Sequence, residues 1–188
     1  ASSISDEDIL KIKKTYANDK KLIVYFGFIF PHKGIEQIFK IANPQRDHVV
    51  LITTFSKEDS YHQELKNSII LDKKWLQSYS ITGFLELDDV ANLLKAADVV
   101  LLPFRTETTL RNGSVFAAML QGTTILTTSK SMHGYNNDLN IHFSRPDDIS
   151  NMKLGLTSIL ESNLPKKKSH LLTWRDIAKK HIKLYENF

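Results

Sequence analysis

Four short, unbroken apolar runs constrain this 188-residue chain more than any other feature. They are residues 22–26 (LIVYF), 49–53 (VVLIT), 99–102 (VVLL) and 124–127 (TILT). Continuous β-rich runs, rather than alternating ones, suit strands covered on both faces, as in a parallel sheet between helices. The stretches between them carry helical periods. Ile35, Ile38, Phe39 and Ala42 recur at i, i+3, i+4 and i+7, and Asn43-Pro44 ends that helix. Val90, Leu93, Leu94 and Ala97 repeat the pattern after Asp88, which reads as its N-cap. Residues 58–67 read as a further helix and 141–143 as a short final strand. Strands alternating with helices give βαβ units, so the expected fold is α/β, a Rossmann-like doubly wound parallel sheet with helices on both faces. A long amphipathic helix closes it, with Trp174, Ile177, Ala178, His181, Ile182 and Tyr185 on one face and Lys179, Lys180 and Lys183 mostly opposite. No repeat or linker divides the chain. Pro165 and the three lysines after it read as a local loop, so residues 21–188 form one domain.

Composition removes several function classes. With no cysteine, disulfides and thiolate metal sites are excluded, and the seven histidines show no H-x-x-x-H pair, so no metal site is expected. No apolar run approaches the roughly 18–20 residues that cross a bilayer. The first ten residues, ASSISDEDIL, lack the basic and apolar regions of a signal peptide, and the chain reads as cytoplasmic. A net charge of +4 suits an anionic partner, but charge alone does not choose between phosphate, lipid and no special partner. The lysines lie on solvated helical faces without interleaved aromatics, which argues against nucleic acid.

In a doubly wound sheet, ligands bind beyond the carboxyl ends of the strands. Two loops there are unusual. The first, residues 27–34 (GFIFPHKG), follows the first strand. Gly27 lets the backbone turn, and Lys33 and Gly34 sit where the next helix begins, which would seat a phosphate on free N–H groups and a full positive charge. The bland alternative is a solvated lysine beside a turn glycine. The second, residues 105–114 (RTETTLRNGS), joins a buried strand to the apolar helix VFAAML. Gly113 and Ser114 could present N–H groups and a hydroxyl to an anion, and Arg111 a planar fork. The bland alternative is Ser114 as an ordinary N-cap with Arg105 and Arg111 in solvent.

These residues carry a resemblance. YFGFIFPHKGIEQIFKIA is similar to the opening of the C-terminal, donor-binding domain of GT-B fold, retaining family 4 glycosyltransferases (glycosyl transferases group 1). ITGFLELDDVANLLKAADVVLLPF, VFAAMLQGTTILTT and TWRDIAKKHIKLYENF resemble the segments that follow, in order, over residues 20–188. The resemblance implies a nucleoside diphosphate sugar, UDP- or GDP-linked, bound without metal or other cofactor. Lys33 matches the lysine on the donor diphosphate, Gly27 and Gly34 the turn glycines, and Gly83 and Phe84 the corner near the base. Gly113 and Ser114 match the helix start facing the phosphates.

Three positions depart from the family. Phe28 stands where many members carry a second diphosphate-binding arginine, and Arg105 or Arg111 is the candidate replacement. The two family glutamates fall on Thr109 and Ala117, so the ribose contact is unassigned. Glu107 is the stand-in for the first, near the sugar or its leaving phosphate. The implied reaction is hexosyl transfer to a hydroxyl, with Lys33, Arg111 and Glu107 as the chemically engaged residues. The setting it suggests is synthesis of bacterial surface polysaccharide or lipopolysaccharide. An acceptor-binding N-terminal domain is the implied partner, in the same full-length chain or a separate subunit, with residues 1–20 as the connection to it. A lipid-linked or saccharide acceptor would place the protein peripherally at the inner face of the membrane, where Lys166, Lys167 and Lys168 could meet anionic lipid. Two rivals share the architecture: a non-catalytic nucleotide-sugar-binding or regulatory module, and half of a sugar-nucleotide epimerase.

Overall fold

The computed structural model describes residues 1–162 apart from Leu110, together with Ile182. The expected closing helix and the three-lysine loop before it lie outside the described residues. Each apolar run becomes a strand. β1 (Lys21–Phe26), β2 (Asp47–Ile52), β4 (Val99–Leu102), β5 (Ile125–Thr128) and β7 (Ile141–Ser144) follow the sequence reading. β3 (Tyr79–Ile81) and β6 (Gly134–Asn136) are additional three-residue strands. The seven form one sheet in the order β3-β2-β1-β4-β5-β7-β6. All neighbours run parallel except β6, which returns antiparallel on β7. The doubly wound sheet is therefore observed, with one antiparallel edge.

Leu22, Ile23, Val24, Val49, Val50, Leu51, Val99, Val100, Leu101 and Leu102 have no exposed surface, so both faces of the central strands are covered. Each such side chain contributes about 1.5–3 kcal/mol relative to exposure. The cover comes from α1 (Asp6–Ala17), α2 (Ile35–Ile41), α3 (Ser60–Leu71), α4 (Leu87–Ala96), α5 (Gly113–Leu120) and α6 (Ile149–Glu161). Helix α2 buries Ile35, Ile38 and Ile41, and Phe39 meets Trp75 edge-on at 5.1 Å. The helix expected over 58–67 is α3, which starts after its N-cap Asp59.

Two capping assignments change. Helix α4 begins a residue before Asp88, with Glu86 at the N-cap, so Asp88 lies with Asp89 in the first turn. There the carboxylates still favour the positive end of the helix. In α5 the N-cap is Asn112, and Ser114 is the second helical residue. Asn112 gives no side-chain cap, because its Oδ1 accepts instead from Thr109 N (2.8 Å) and Oγ1 (3.0 Å).

The reading of residues 1–20 assigned no helix there, yet α1 starts from a capping box. Ser5 Oγ accepts from Asp8 N, and Asp8 Oδ2 accepts from Ser5 N, both at 3.2 Å. Ile9, Ile12 and Tyr16 pack against the core, and Lys13 Nζ reaches Asp98 Oδ1 at 2.5 Å. Asp98 also accepts from Leu22 N at 2.7 Å, which ties α1 to the start of β1. Helix α6 was also not anticipated, although Met152, Leu156 and Ile159 bury one face of it after the N-cap Asp148.

Candidate functional site

The winding of the sheet reverses between β1 and β4, because the chain builds outward from β1 to β3 and then returns to β4 on the other side. Loops leaving the carboxyl ends of two such strands diverge and open a crevice. The loops at this point are 27–34 and 103–112. The first was singled out from sequence, and the second covers most of the 105–114 stretch singled out there, whose last two residues, Gly113 and Ser114, fall in α5.

They touch. Gly27 has φ +148°, and a Cβ on it would stand 2.8 Å from Ser114 Oγ at the start of α5. Gly34 has φ +64°, and a Cβ there would be driven into the carbonyl oxygen of Pro103. Arg105 N donates to His32 O at 2.9 Å, closing the two loops across the crevice. Within the first loop, Tyr25 Oη donates to the carbonyl of Phe28 (2.8 Å), and residues Pro31–Lys33 make one 3-10 turn. Lys33 ends that turn, so Gly34 alone separates it from α2.

Lys33 is half-buried, with Nζ 4.3 Å from the centroid of the Phe104 ring. Burial lowers its pKa from the usual 10.5. The ammonium thus sits partly desolvated over an aromatic face, where a phosphate oxygen would gain more from it than in water. At the start of α5, where Ser114 stands against Gly27, the first N–H groups, from Gly113 onward, lack intrahelical acceptors.

The remaining predicted residues separate. Arg105 does not stand free: NH2 meets Glu36 Oε1 at 2.5 Å and NH1 meets Asp147 Oδ1 at 2.6 Å. Arg111 is exposed and has no ion pair or side-chain hydrogen bond among the described residues. Glu107 lies at the end of β5, where its Oε1 accepts from Ser129 Oγ (2.9 Å), Ser131 Oγ (3.1 Å) and Lys130 N (3.3 Å). Those bonds, Ser129 first, hold its carboxyl below the ordinary value. A threonine ladder fixes the loop beneath it. Thr108 Oγ1 meets Thr127 Oγ1 at 2.5 Å, Thr127 Oγ1 donates to Leu102 O, and Thr128 Oγ1 donates to Thr106 O, both at 2.9 Å.

Gly83 and Phe84 follow β3, two strands from β1 and so about 10 Å away. Gly83 has φ +72° with open space around it, and Phe84 is 81% exposed. Phe28, at the position of the missing family arginine, is 77% exposed. Thr109 is engaged with Asn112, and Ala117 packs against the core, so neither offers a ribose acceptor. A cleft of about 260 Å³ opens beside Phe28, Phe30, Phe55 and His62. Sequence reasoning missed Glu36, Asp147 and the Ser129–Ser131 turn. They lie far from their partners along the chain, and no local spacing marks them. Among the described residues no three His, Cys, Asp or Glu cluster as metal ligands would, and no helix is long and apolar enough to cross a membrane.

The family described as glycosyl transferases group 1 matches residues 20–159, and the chain belongs to it. Among curated proteins, none matches the sequence. Among solved structures the fold superposes on Anabaena HepE in complex with UDP, with TM-score 0.78 and 15% identity over 98% of this chain and 54% of that one. It also superposes on sucrose-phosphate synthase from Thermosynechococcus elongatus, with TM-score 0.76 and 16% identity over 99% of this chain and 49% of that one. The C-terminal domain of the group 1 family protein LpcC from Francisella tularensis gives TM-score 0.68 and 14% identity over 94% of both chains. The chain thus spans about half the length of the first two, and its fold is that of the C-terminal domain of a GT-B glycosyltransferase.

Proposed function

We propose that the crevice between the two loops binds the diphosphate of a nucleoside diphosphate sugar, as the donor half of a transferase. The observation that carries this is the joint construction of the seat: Gly27 against Ser114, Gly34 against Pro103, and the half-buried Lys33 at the mouth. HepE binds UDP and UDP-glucose, which makes a uridine donor the first to try. GDP-linked sugars remain in the same chemical class. In this reading the bond from the anomeric carbon to the terminal phosphate oxygen breaks, and a bond to the acceptor oxygen forms. The acceptor proton passes to the leaving diphosphate. Lys33, Arg111 and the α5 N–H groups stabilise the charge that builds there. Glu107 is assigned to the sugar side. No metal is assigned a role.

The finer reading is retaining hexosyl transfer in bacterial surface polysaccharide or lipopolysaccharide assembly, on the cytoplasmic side of the membrane. It rests on the family resemblance and on an acceptor-binding domain supplied elsewhere. Phe28 and Ala117 favour one alternative, a module that binds the nucleotide sugar without transferring it. Sugar transfer on adding an acceptor domain would remove that alternative. An epimerase would instead release an isomerised nucleotide sugar with no acceptor present.

A thermal-shift screen of UDP, GDP, ADP and their glucose or mannose conjugates tests the central claim. At 100 times its Kd, a specific ligand adds about 2.7 kcal/mol by mass action, which raises Tm by about 5–10 °C in a domain of this size. No shift with any of them overturns the assignment.

A further inference from the structure

We propose that Arg105 is a positioning residue, not a donor ligand: it holds the two halves of the diphosphate seat in register through Glu36 and Asp147. The inference rests on the diphosphate reading of the crevice.

The geometry is specific. Arg105 leaves the carboxyl end of β4 and sends NH2 to Glu36 Oε1 (2.5 Å) and NH1 to Asp147 Oδ1 (2.6 Å). Glu36 lies in the first turn of α2, two residues past Gly34, and its other oxygen accepts from Tyr61 Oη of α3 at 3.1 Å. Asp147 lies in the corner before α6 with φ +57°, and its Oδ1 also accepts from Gln37 Nε2 at 2.6 Å. Gln37 is only 3% exposed and lies directly behind Gly34. One guanidinium therefore joins the second phosphate loop to the helix that begins at the first, and both to the corner before α6. Its backbone N–H adds the bond to His32 O.

Two of the five guanidinium N–H donors of Arg105 are committed to carboxylates, so a diphosphate drawn to the remaining donors would settle beside two like charges. The two carboxylates already neutralise the guanidinium and weaken its pull on a further anion. Arg111, exposed and without an ion pair among the described residues, is the arginine of this loop assigned to the phosphates. A planar fork can span two carboxylates on different elements in a way a single ammonium cannot, which explains the residue type.

The test uses Arg105→Ala, Glu36→Gln and Asp147→Asn, with two readouts. The first is hydrogen exchange of the ligand-free protein. All three substitutions should speed exchange across 30–38 and 103–109 while leaving 125–128 unchanged. The second is affinity for UDP by calorimetry and for uridine by ligand-observed NMR. The Kd for UDP should rise about 3- to 30-fold in each variant, with uridine binding unaltered, and Arg105→Ala/Glu36→Gln should lose no more than Arg105→Ala alone. The proposal is overturned if Glu36→Gln and Asp147→Asn bind UDP as tightly as wild type, or tighter, while Arg105→Ala does not bind. Unchanged exchange in both segments overturns it as well. If wild type binds neither UDP nor uridine, the uridine-donor reading fails, and the exchange pattern alone decides on the brace.

Discussion

Gly34→Ala is expected to lower the stability of the chain by about 2–5 kcal/mol and to abolish nucleotide binding. Two costs combine. A left-handed φ of +64° costs an alanine about 1–2 kcal/mol. The new methyl also meets the carbonyl oxygen of Pro103, a backbone atom at the end of β4, and overpacking of that kind costs about 1–3 kcal/mol. Relieving the contact means moving Gly34 and Pro103 apart, which opens the seat. Urea unfolding with a midpoint lower by about 1–2 M would register the change. Gly83→Ala is the control. Its φ is +72°, but nothing lies within 4 Å of the added methyl, so only the conformational cost of about 1–2 kcal/mol remains. Equal losses at the two glycines would show that the approach to Pro103 does not matter.

Lys33→Met should weaken UDP binding about 10- to 100-fold without lowering the thermal stability of the ligand-free chain. The affinity loss follows from one charge-assisted bond to phosphate, about 1.5–3 kcal/mol. The stability half follows from the direction of the pKa shift. Burial holds Lys33 below 10.5, so its charged form is disfavoured in the fold relative to the unfolded chain. That cost is fully present at neutral pH and disappears as pH rises through the folded pKa, so stability contributed here increases with pH. Methionine keeps the stem packed on Phe104 and removes the desolvated charge. The same shift predicts that UDP affinity falls at alkaline pH earlier than an ordinary lysine would allow, with a proton taken up on binding in that range. A Tm drop of several degrees in Lys33→Met, with UDP affinity intact, would assign the lysine to packing instead.

The central sheet was legible because its strands are buried on both faces and so must be continuously apolar, as in residues 22–26 and 99–102. The edges were not. Tyr79–Ile81 is only half-buried on the flank of β2, and Gly134–Asn136 has no apolar run. Helix α1 had its signal in Ser5 and Asp8 of the capping box, and α6 had one in the spacing of Met152, Leu156 and Ile159 after Asp148. For the site, glycines and Lys33 could be placed because a turn and a helix start are local events. Arg105 could be found but not understood. Its partners lie 69 and 42 residues away: Glu36 comes beside it where the winding reverses at β1 and β4, and Asp147 from the corner between β7 and α6.

The two outermost strands, β3 and β6, have three residues each. Another chain adding to either side would find too few backbone donors and acceptors to register upon, so the described sheet offers a poor template for edge-to-edge growth. The long, regular, strongly apolar strands, which on their own would be the segments most prone to polymerise, are confined to the middle of the order. Brevity at the margins thus protects a hydrophobic interior from self-association in the folded state.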